Sequence, residues 1–286
     1  MKTILILTDF SENATHAAIS AAMVIEKLHA HVLLYHTYYD SPVIPAYAGG
    51  SLVISEFSLL KKESIIKLNH LEVNLRRKIM EISVQGFRPA IDCLCGEGPL
   101  GNNVADILKE KDIELIVMGA SANGNIHHLF FGSDTLSVID HASCPVLVIP
   151  PEVEMNKIRK VTLAAGYELA DINAINYLVD LGRIFNYELA VVHVSLRSEE
   201  ENQARGKAIR SHIEAIKQTN ISCREIKGKN VVKRLNNVCK ENGSDILALV
   251  HYQRGFFDNM LNTSNAGEAL LIHRIPLLVI PAKTTK

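Results

Sequence analysis

The feature that most constrains this chain is that it repeats. Cys144-Pro-Val-Leu-Val-Ile-Pro150 recurs as Ile275-Pro-Leu-Leu-Val-Ile-Pro281, and Glu114-Leu-Ile-Val-Met-Gly119 is echoed by Asp245-Ile-Leu-Ala-Leu-Val250, both at an offset of 131 residues. Nearer the start, His31-Val-Leu-Leu-Tyr-His36 is echoed by Glu188-Leu-Ala-Val-Val-His193. The three echoes keep their order, so the same structural unit is built twice. We read two copies of one domain, residues 1–150 and 158–286, joined near Pro150-Pro151 through Glu152–Lys157. A linker this short predicts that the copies pack closely.

Within the first copy the elements alternate. Thr3–Thr8 is a continuous apolar run, as a strand buried on both faces would be. Ser11 has the character of an N-cap, and Ala18, Ala22, Ile25 and Leu28 mark one face of a helix. His31–Thr37 reads as a second strand. Tyr38–Ser58 is rich in Pro, Gly and Ser and long for a connection, which predicts a mobile cover. Leu68, Leu71, Leu75, Ile79 and Ile82 follow helical spacing. Arg88–Cys95 reads as a third strand, starting late or lying at a sheet edge because of Pro89. A helix over Asn102–Lys111, a strand over Glu114–Met118, a helix over Ser133–His141 and a strand over Val146–Ile149 complete the unit. The β-α-β-α-β-α-β-α-β order predicts an α/β fold with a doubly wound, parallel, five-stranded sheet in each copy. Ligands on such sheets bind at the carboxyl ends of strands where strand order reverses. The residues to watch are therefore Thr8, Asp9, Thr37 and those from Gly119 onward.

Composition excludes several classes. Thirty Lys and Arg against 31 Asp and Glu leave a net charge of -1, without the basic excess of a nucleic-acid binder. The longest apolar runs, such as Ile4–Leu7 and Pro145–Ile149, fall far short of the roughly 20 residues that cross a bilayer. No signal-peptide pattern opens the chain. Five scattered cysteines, an odd number, read as free thiols of a reducing, cytoplasmic compartment rather than as a disulfide framework or a zinc site.

The loop after the fourth strand carries the most chemistry: Met118-Gly-Ala-Ser-Ala-Asn-Gly-Asn-Ile-His-His-Leu-Phe-Phe-Gly-Ser-Asp134. Gly119 ends a strand, and Gly132-Ser133 opens a helix, whose free N–H groups and partial positive charge suit an anion. Equally, these residues make an ordinary Gly-rich turn with Ser133 as the N-cap. Here the chain resembles a tandem universal stress protein of the UspA type, whose nucleotide-binding members carry Gly-x2-Gly-x9-Gly-Ser/Thr at this place. Gly119-x2-Ala122-x9-Gly132-Ser133 matches, save that Ala122 replaces the middle glycine. The opening Ile4-Leu-Ile-Leu-Thr-Asp-Phe-Ser11 and the closing Cys144–Pro150 segment are similar to the family's first and last strands.

The resemblance implies a Rossmann-like fold of the adenine nucleotide alpha-hydrolase kind. It also implies last strands that pair within the chain, making an intrachain pseudo-dimer, with further homo-oligomers allowed. It implies ATP or a related adenine nucleotide in the first copy. Asp9 would meet the adenine or ribose end, with Thr8 and Thr37 close by and Met118 and Gly119 on the floor. Ala122, Gly132, Ser133 and Asp134 would hold the phosphates. Ala122 costs on the order of 1 kcal/mol if its site needs a left-handed backbone, because its Cβ then crowds the carbonyl. Asp134, if it faces the site, repels phosphate unless Mg²⁺ bridges the two. We therefore expect weak or metal-dependent binding. In the second copy Val250, Gln253 and Thr263-Ser264 stand at the corresponding positions, and Gly166 or Tyr167 stands in place of Asp9, so that copy reads as a scaffold without the site.

No catalytic constellation is visible. There is no Gly-x-Ser-x-Gly elbow, no Walker lysine and no Gly-x-Gly-x-x-Gly after the first strand. His36 and His193 read as core histidines satisfied by backbone, and His127-His128 as a loop pair that does not bind metal. The reading is a stress-response nucleotide-binding protein rather than an enzyme. Its rivals are an interaction module that binds no ATP and a slow ATP hydrolase.

Overall fold

The computed structural model describes residues 2–39, 53–84, 86–120, 132–151, 153–195, 200–218, 220–228, 230–252 and 275–282. The first strand, β1 (Thr3–Leu7), shows how the sheet is built. Ile4 and Ile6 enter one hydrophobic core and Leu5 and Leu7 another, on opposite faces. A strand alternates its side chains from face to face, and both faces here are covered, so the sequence reads as an unbroken apolar run. The strands β2 (His31–Tyr38), β4 (Ile113–Gly119) and β5 (Val146–Ile149) share this character.

Helices α1 (Glu12–Ser20), α2 (Ala22–Leu28) and α3 (Val53–Ile82) contribute to the first core, while α4 (Leu100–Glu110) and α5 (Ser133–His141) contribute to the second. The single helix expected before His31 is divided at Ala21, although the Ala21 N–H and carbonyl still bond Ala17 and Ile25. Ser11 caps α1, its Oγ accepting from Ala14 N at 3.2 Å. The α3 helix begins at Val53, inside the segment expected to be a loop cover; residues 40–52 lie outside the described part. Strand β3 (Ile91–Glu97) starts two residues after Pro89 and forms a sheet edge, as the proline suggested.

The second half repeats the pattern with β6 (Lys160–Ala164), α6 (Leu169–Phe185), β7 (Glu188–Ser195), α7 (Glu200–Ile216), β8 (Ile221–Lys227), α8 (Val231–Asn242), β9 (Ile246–His251) and β10 (Leu277–Pro281). All ten strands form one sheet, in the order β3-β2-β1-β4-β5-β10-β9-β6-β7-β8. Every neighbouring pair is parallel except β5 and β10, which run antiparallel with Leu277 opposite Val148, Leu278 opposite Leu147 and Val279 opposite Val146. This is the intrachain pairing of last strands that the resemblance implied. It removes two apolar edges that would otherwise be open to aggregation. The connection between the halves is also anchored. Met155 and Ile158 are buried in the first core, and His16 Nε2 lies 2.9 Å from the Val153 carbonyl.

Strand order reverses between β1 and β4 in the first half and between β6 and β9 in the second. Because β5 and β10 are antiparallel, these two switch points open toward opposite ends of the sheet. All five cysteines are free thiols. No described helix is long and apolar enough to cross a membrane.

Candidate functional site

At the first switch point the loop after β1 folds on itself. Thr8 N donates to the Tyr35 carbonyl at 3.0 Å, and Thr8 Oγ1 accepts from Phe10 N at 3.0 Å. Asp9 Oδ1 accepts from Ser11 N at 2.9 Å, an Asx-type turn, while Phe10 takes a left-handed φ of 64°. Asp9 is exposed, and its Oδ2 has no hydrogen bond among the described residues. So Ser11 caps the helix and Asp9 shapes the turn before it.

A cleft of about 370 Å³ opens beside this loop. Its lining includes Thr8, Asp9, Thr37, Met118, Gly119, Gly132, Ser133 and Asp134. Eight of the nine residues singled out from sequence thus face one space, drawn from four separate stretches of chain. The ninth, Ala122, lies outside the described residues, as do His127-His128 and, in the second half, Gln253 and Thr263-Ser264. The cleft also has walls that sequence reasoning did not name: Asn13, Ala14, Tyr39 and Leu100. None carries a motif. Asn13, Ala14 and Leu100 arrive because α1 and α4 begin at this end of the sheet, and Tyr39 because it directly follows β2.

Gly119 has a reason of its own to be glycine. A Cβ there would stand 2.8 Å from the Asn13 carbonyl oxygen and 3.1 Å from Ala14 Cα. The close approach is made by the backbone of α1, so the residue is needed for packing whether or not a ligand binds. At the far side of the cleft Gly132, not Ser133, is the N-cap of α5, with φ -62° and ψ 160°. Ser133 is the first helical residue. Gly132 offers no side chain to the helix, so among the described residues the first N–H groups of α5 have no side-chain cap. Such groups suit an anion. Asp134 lies in that first turn and is exposed.

His36 lies in the cleft wall. Its Nδ1 sits 2.8 Å from the Thr8 carbonyl, which requires Nδ1 to carry the proton and donate. Burial pushes its pKa down, against the pull of the Thr8 carbonyl and Asp9. His193 repeats the arrangement, 2.8 Å from the Ala165 carbonyl. Both histidines are held by backbone, as expected.

That repetition fixes the correspondence between the halves. Thr8 matches Ala165, Asp9 matches Gly166, and Phe10 matches Tyr167, which has the same left-handed φ, 63°. Of the two residues that could have replaced Asp9, it is Gly166. Neither Ala165 nor Gly166 has a side-chain acceptor, so the turn in the second half is satisfied differently. The fully buried carboxylate of Asp171, in the first turn of α6, accepts from Glu168 N at 2.9 Å and is drawn on by the backbone N–H groups of Gly166 and Tyr167. Tyr252 Oη lies 3.5 Å from its Oδ1. Desolvation outweighs these bonds and raises the Asp171 pKa to about 6. Asp171 matches Ala14, a wall of the first cleft, so the second half carries a carboxyl group where the first carries a methyl. Val250, buried, stands where Gly119 does.

Against this geometry, the sequence profile described as the universal stress protein family matches residues 1–150. The chain belongs to the universal stress protein family. A universal stress protein of Methanocaldococcus jannaschii is 31% identical over 150 residues, covering 52% of this chain and 81% of the relative. One from Thermus aquaticus is 30% identical over 148 residues, covering 52% of this chain and 98% of that protein. Both matches span about half of the present chain. Over nearly its full length the chain has the fold of a universal stress protein from Archaeoglobus fulgidus, with a TM-score of 0.69 at 17% identity, covering 98% of this chain and 96% of the other.

A helix start whose N-cap has no side chain, at the rim of a cleft of this size, is chemically suited to a small molecule with an anionic group. Among the described residues no group of three or more His, Cys, Asp or Glu is placed to hold a metal ion. A cation at Asp134 would need most of its ligands from the bound molecule or water.

Proposed function

We propose that the first-half cleft binds ATP or a related adenine nucleotide and that the chain is a nucleotide-responsive stress protein of the cytoplasm rather than an enzyme. The observation that carries this reading is the open start of α5. Gly132 caps it without a side chain, at the switch point, across the cleft from Asp9 and Thr37. The resemblance to the family's Gly-x2-Gly-x9-Gly-Ser/Thr pattern, here Gly119, Ala122, Gly132 and Ser133, supports placing phosphates at that end. In this reading the backbone at Ala122, Gly132, Ser133 and Asp134 receives the phosphates and the Ser133 hydroxyl assists. Asp9, through the oxygen not used by Ser11, meets the adenine or ribose end beside Thr8 and Thr37, and Met118 and Gly119 form the floor. Mg²⁺ offsets the charge of Asp134. The unit at 158–286 keeps the scaffold and binds no nucleotide, since Val250 and the Asp171 carboxyl replace Gly119 and Ala14.

Isothermal titration with ATP, with and without Mg²⁺, tests this on the wild type and on Asp9→Ala. The expected result is one site per chain, tighter with Mg²⁺ and weakened by the substitution. Two equal sites, or no heat in either condition, would overturn it. Phosphate release measured on the same samples separates a binding protein from a slow hydrolase.

A further inference from the structure

Helix α5 reaches from one half of the molecule to the other. Its start, Gly132 to Thr135, lines the first cleft. It runs back along the sheet to the amino end of β5. Because β5 and β10 are antiparallel, the strands of the second half have their carboxyl ends there. At that end Asp140, the penultimate residue of α5, places Oδ1 3.1 Å from Nε2 of His251, the last residue of β9. A carboxylate only accepts, so the imidazole N–H donates.

Neither residue is explained by its own half. An acid in the last turn of a helix meets the negative end of the macrodipole and is unfavourable there. So α5 gains nothing locally from Asp140. The contact joins a surface acid, 61% exposed, to a buried ring, 6% exposed. At the offset of 131 residues His251 corresponds to Ala120, and Asp140 to Leu271. Alanine and leucine have no polar side-chain atom, so the mirrored pair does not exist. The contact runs one way, from the second half to the helix of the first.

The helix needs holding. Nine residues are too few to make a stable helix alone, so its order comes from what it touches. Its inner face buries Thr135, Val138 and Ile139. At its middle α4 comes close, since a Cβ on Gly101 would stand 2.9 Å from the Ser137 carbonyl oxygen. His251 meets the far end, about 10 Å along the axis from Ser133. Over so short a length a helix is stiff, and a shift at Asp140 is felt at Gly132 and Ser133.

We propose that His251 is a positioning residue for the first cleft: it holds α5 by Asp140, so that the second half sets how the start of α5 meets a ligand. The identity of that ligand rests on the nucleotide reading above; the hold on α5 does not. The second half then acts on the first cleft without binding nucleotide itself.

Amide hydrogen exchange on the ligand-free full chain tests the hold. Leu136 N donates to the Gly132 carbonyl at 3.1 Å and closes the first turn, so its exchange reports opening at the cleft end. The proteins are the wild type, Asp140→Ala, Asp140→Asn, His251→Ala and the Asp140→Ala/His251→Ala double variant. Circular dichroism checks that each folds, and the exposed Asp140 keeps the test decisive if His251→Ala does not. Leu136 should exchange about three- to tenfold faster in either alanine variant. The double variant should be no faster than the singles. Asp140→Asn, whose amide oxygen still accepts, should stay close to wild type.

The opposite outcome has the opposite sign. If the contact did not hold α5, alanine would be the better helix former and would relieve the dipole, so Asp140→Ala would slow the exchange. Slower or unchanged exchange in Asp140→Ala, or additive effects in the double variant, would overturn the proposal. ATP titration of the same proteins reads the cleft separately. Affinity that falls as exchange quickens supports the link, and affinity that stays constant while exchange quickens would overturn it. A wild type that binds no ATP would overturn the nucleotide reading, and the exchange result alone would then decide the hold on α5.

Discussion

The Asn13 carbonyl oxygen of α1 stands 2.8 Å from the place a β-carbon would take on Gly119, at the carboxyl end of β4. Helix and strand touch through bare backbone at the cleft floor. Gly119→Ala is therefore expected to destabilise the ligand-free protein by about 1–3 kcal/mol through overpacking. Urea unfolding without nucleotide measures it. A variant as stable as wild type would show that this glycine serves only the ligand.

Asp171 makes stability depend on pH. Its pKa is raised from the ordinary 3.8 to about 6 by burial, so the folded protein holds that proton more tightly than the unfolded chain. This contribution is present below pH 4 and is lost as pH rises through about 6. Asp171→Asn cannot ionise, so its stability relative to wild type should improve between pH 4 and 7, by up to about 3 kcal/mol. Thermal melts of both proteins across that range give the difference. A constant offset would assign the burial cost elsewhere.

Asp134 sits in the uncapped first turn of α5 and is exposed. If phosphate binds there, Asp134→Asn removes a repulsion of about 1 kcal/mol at 4 Å in water. ATP affinity without Mg²⁺ should rise about fivefold, and the gain on adding Mg²⁺ should shrink. Titration at two ionic strengths checks that the effect is electrostatic, since exposed charges are screened by salt.

Leu147 and Leu278 face each other across the antiparallel seam and are almost fully buried. Leu147→Ala should cost about 2–5 kcal/mol. The double variant with Leu278→Ala should cost measurably less or more than the sum, because residues in contact do not act independently. A double-mutant cycle by urea unfolding reads the coupling.

Much of the architecture was legible because it rests on repetition and apolar runs. Both survive in sequence without knowledge of neighbours, and the strand ends at Thr8, Thr37 and Gly119 follow from topology. What stayed hidden depends on contacts between distant segments. Gly119 reads as a phosphate glycine by motif, yet α1 alone explains it. Asp171 belongs to no motif and goes unnamed in the sequence. Its burial follows from the missing side chains at Ala165 and Gly166, a compensation visible only in three dimensions. The start of α3 at Val53 was masked by the Pro, Gly and Ser upstream. Asn13 and Tyr39 reach the cleft by position and not by pattern.

The antiparallel seam also has a consequence for how the protein is made. Strand β5 is apolar on both faces and complete at Ile149, but its partner β10 follows about 130 residues later, roughly 6–25 s at ordinary rates of synthesis. Throughout that interval a nascent chain presents a bare sheet edge to its neighbours on the same message, the surface most prone to mispairing. Carrying the matching edge on the same polypeptide gives it a local concentration that no second molecule easily equals, and so turns a hazard of translation into a step of maturation.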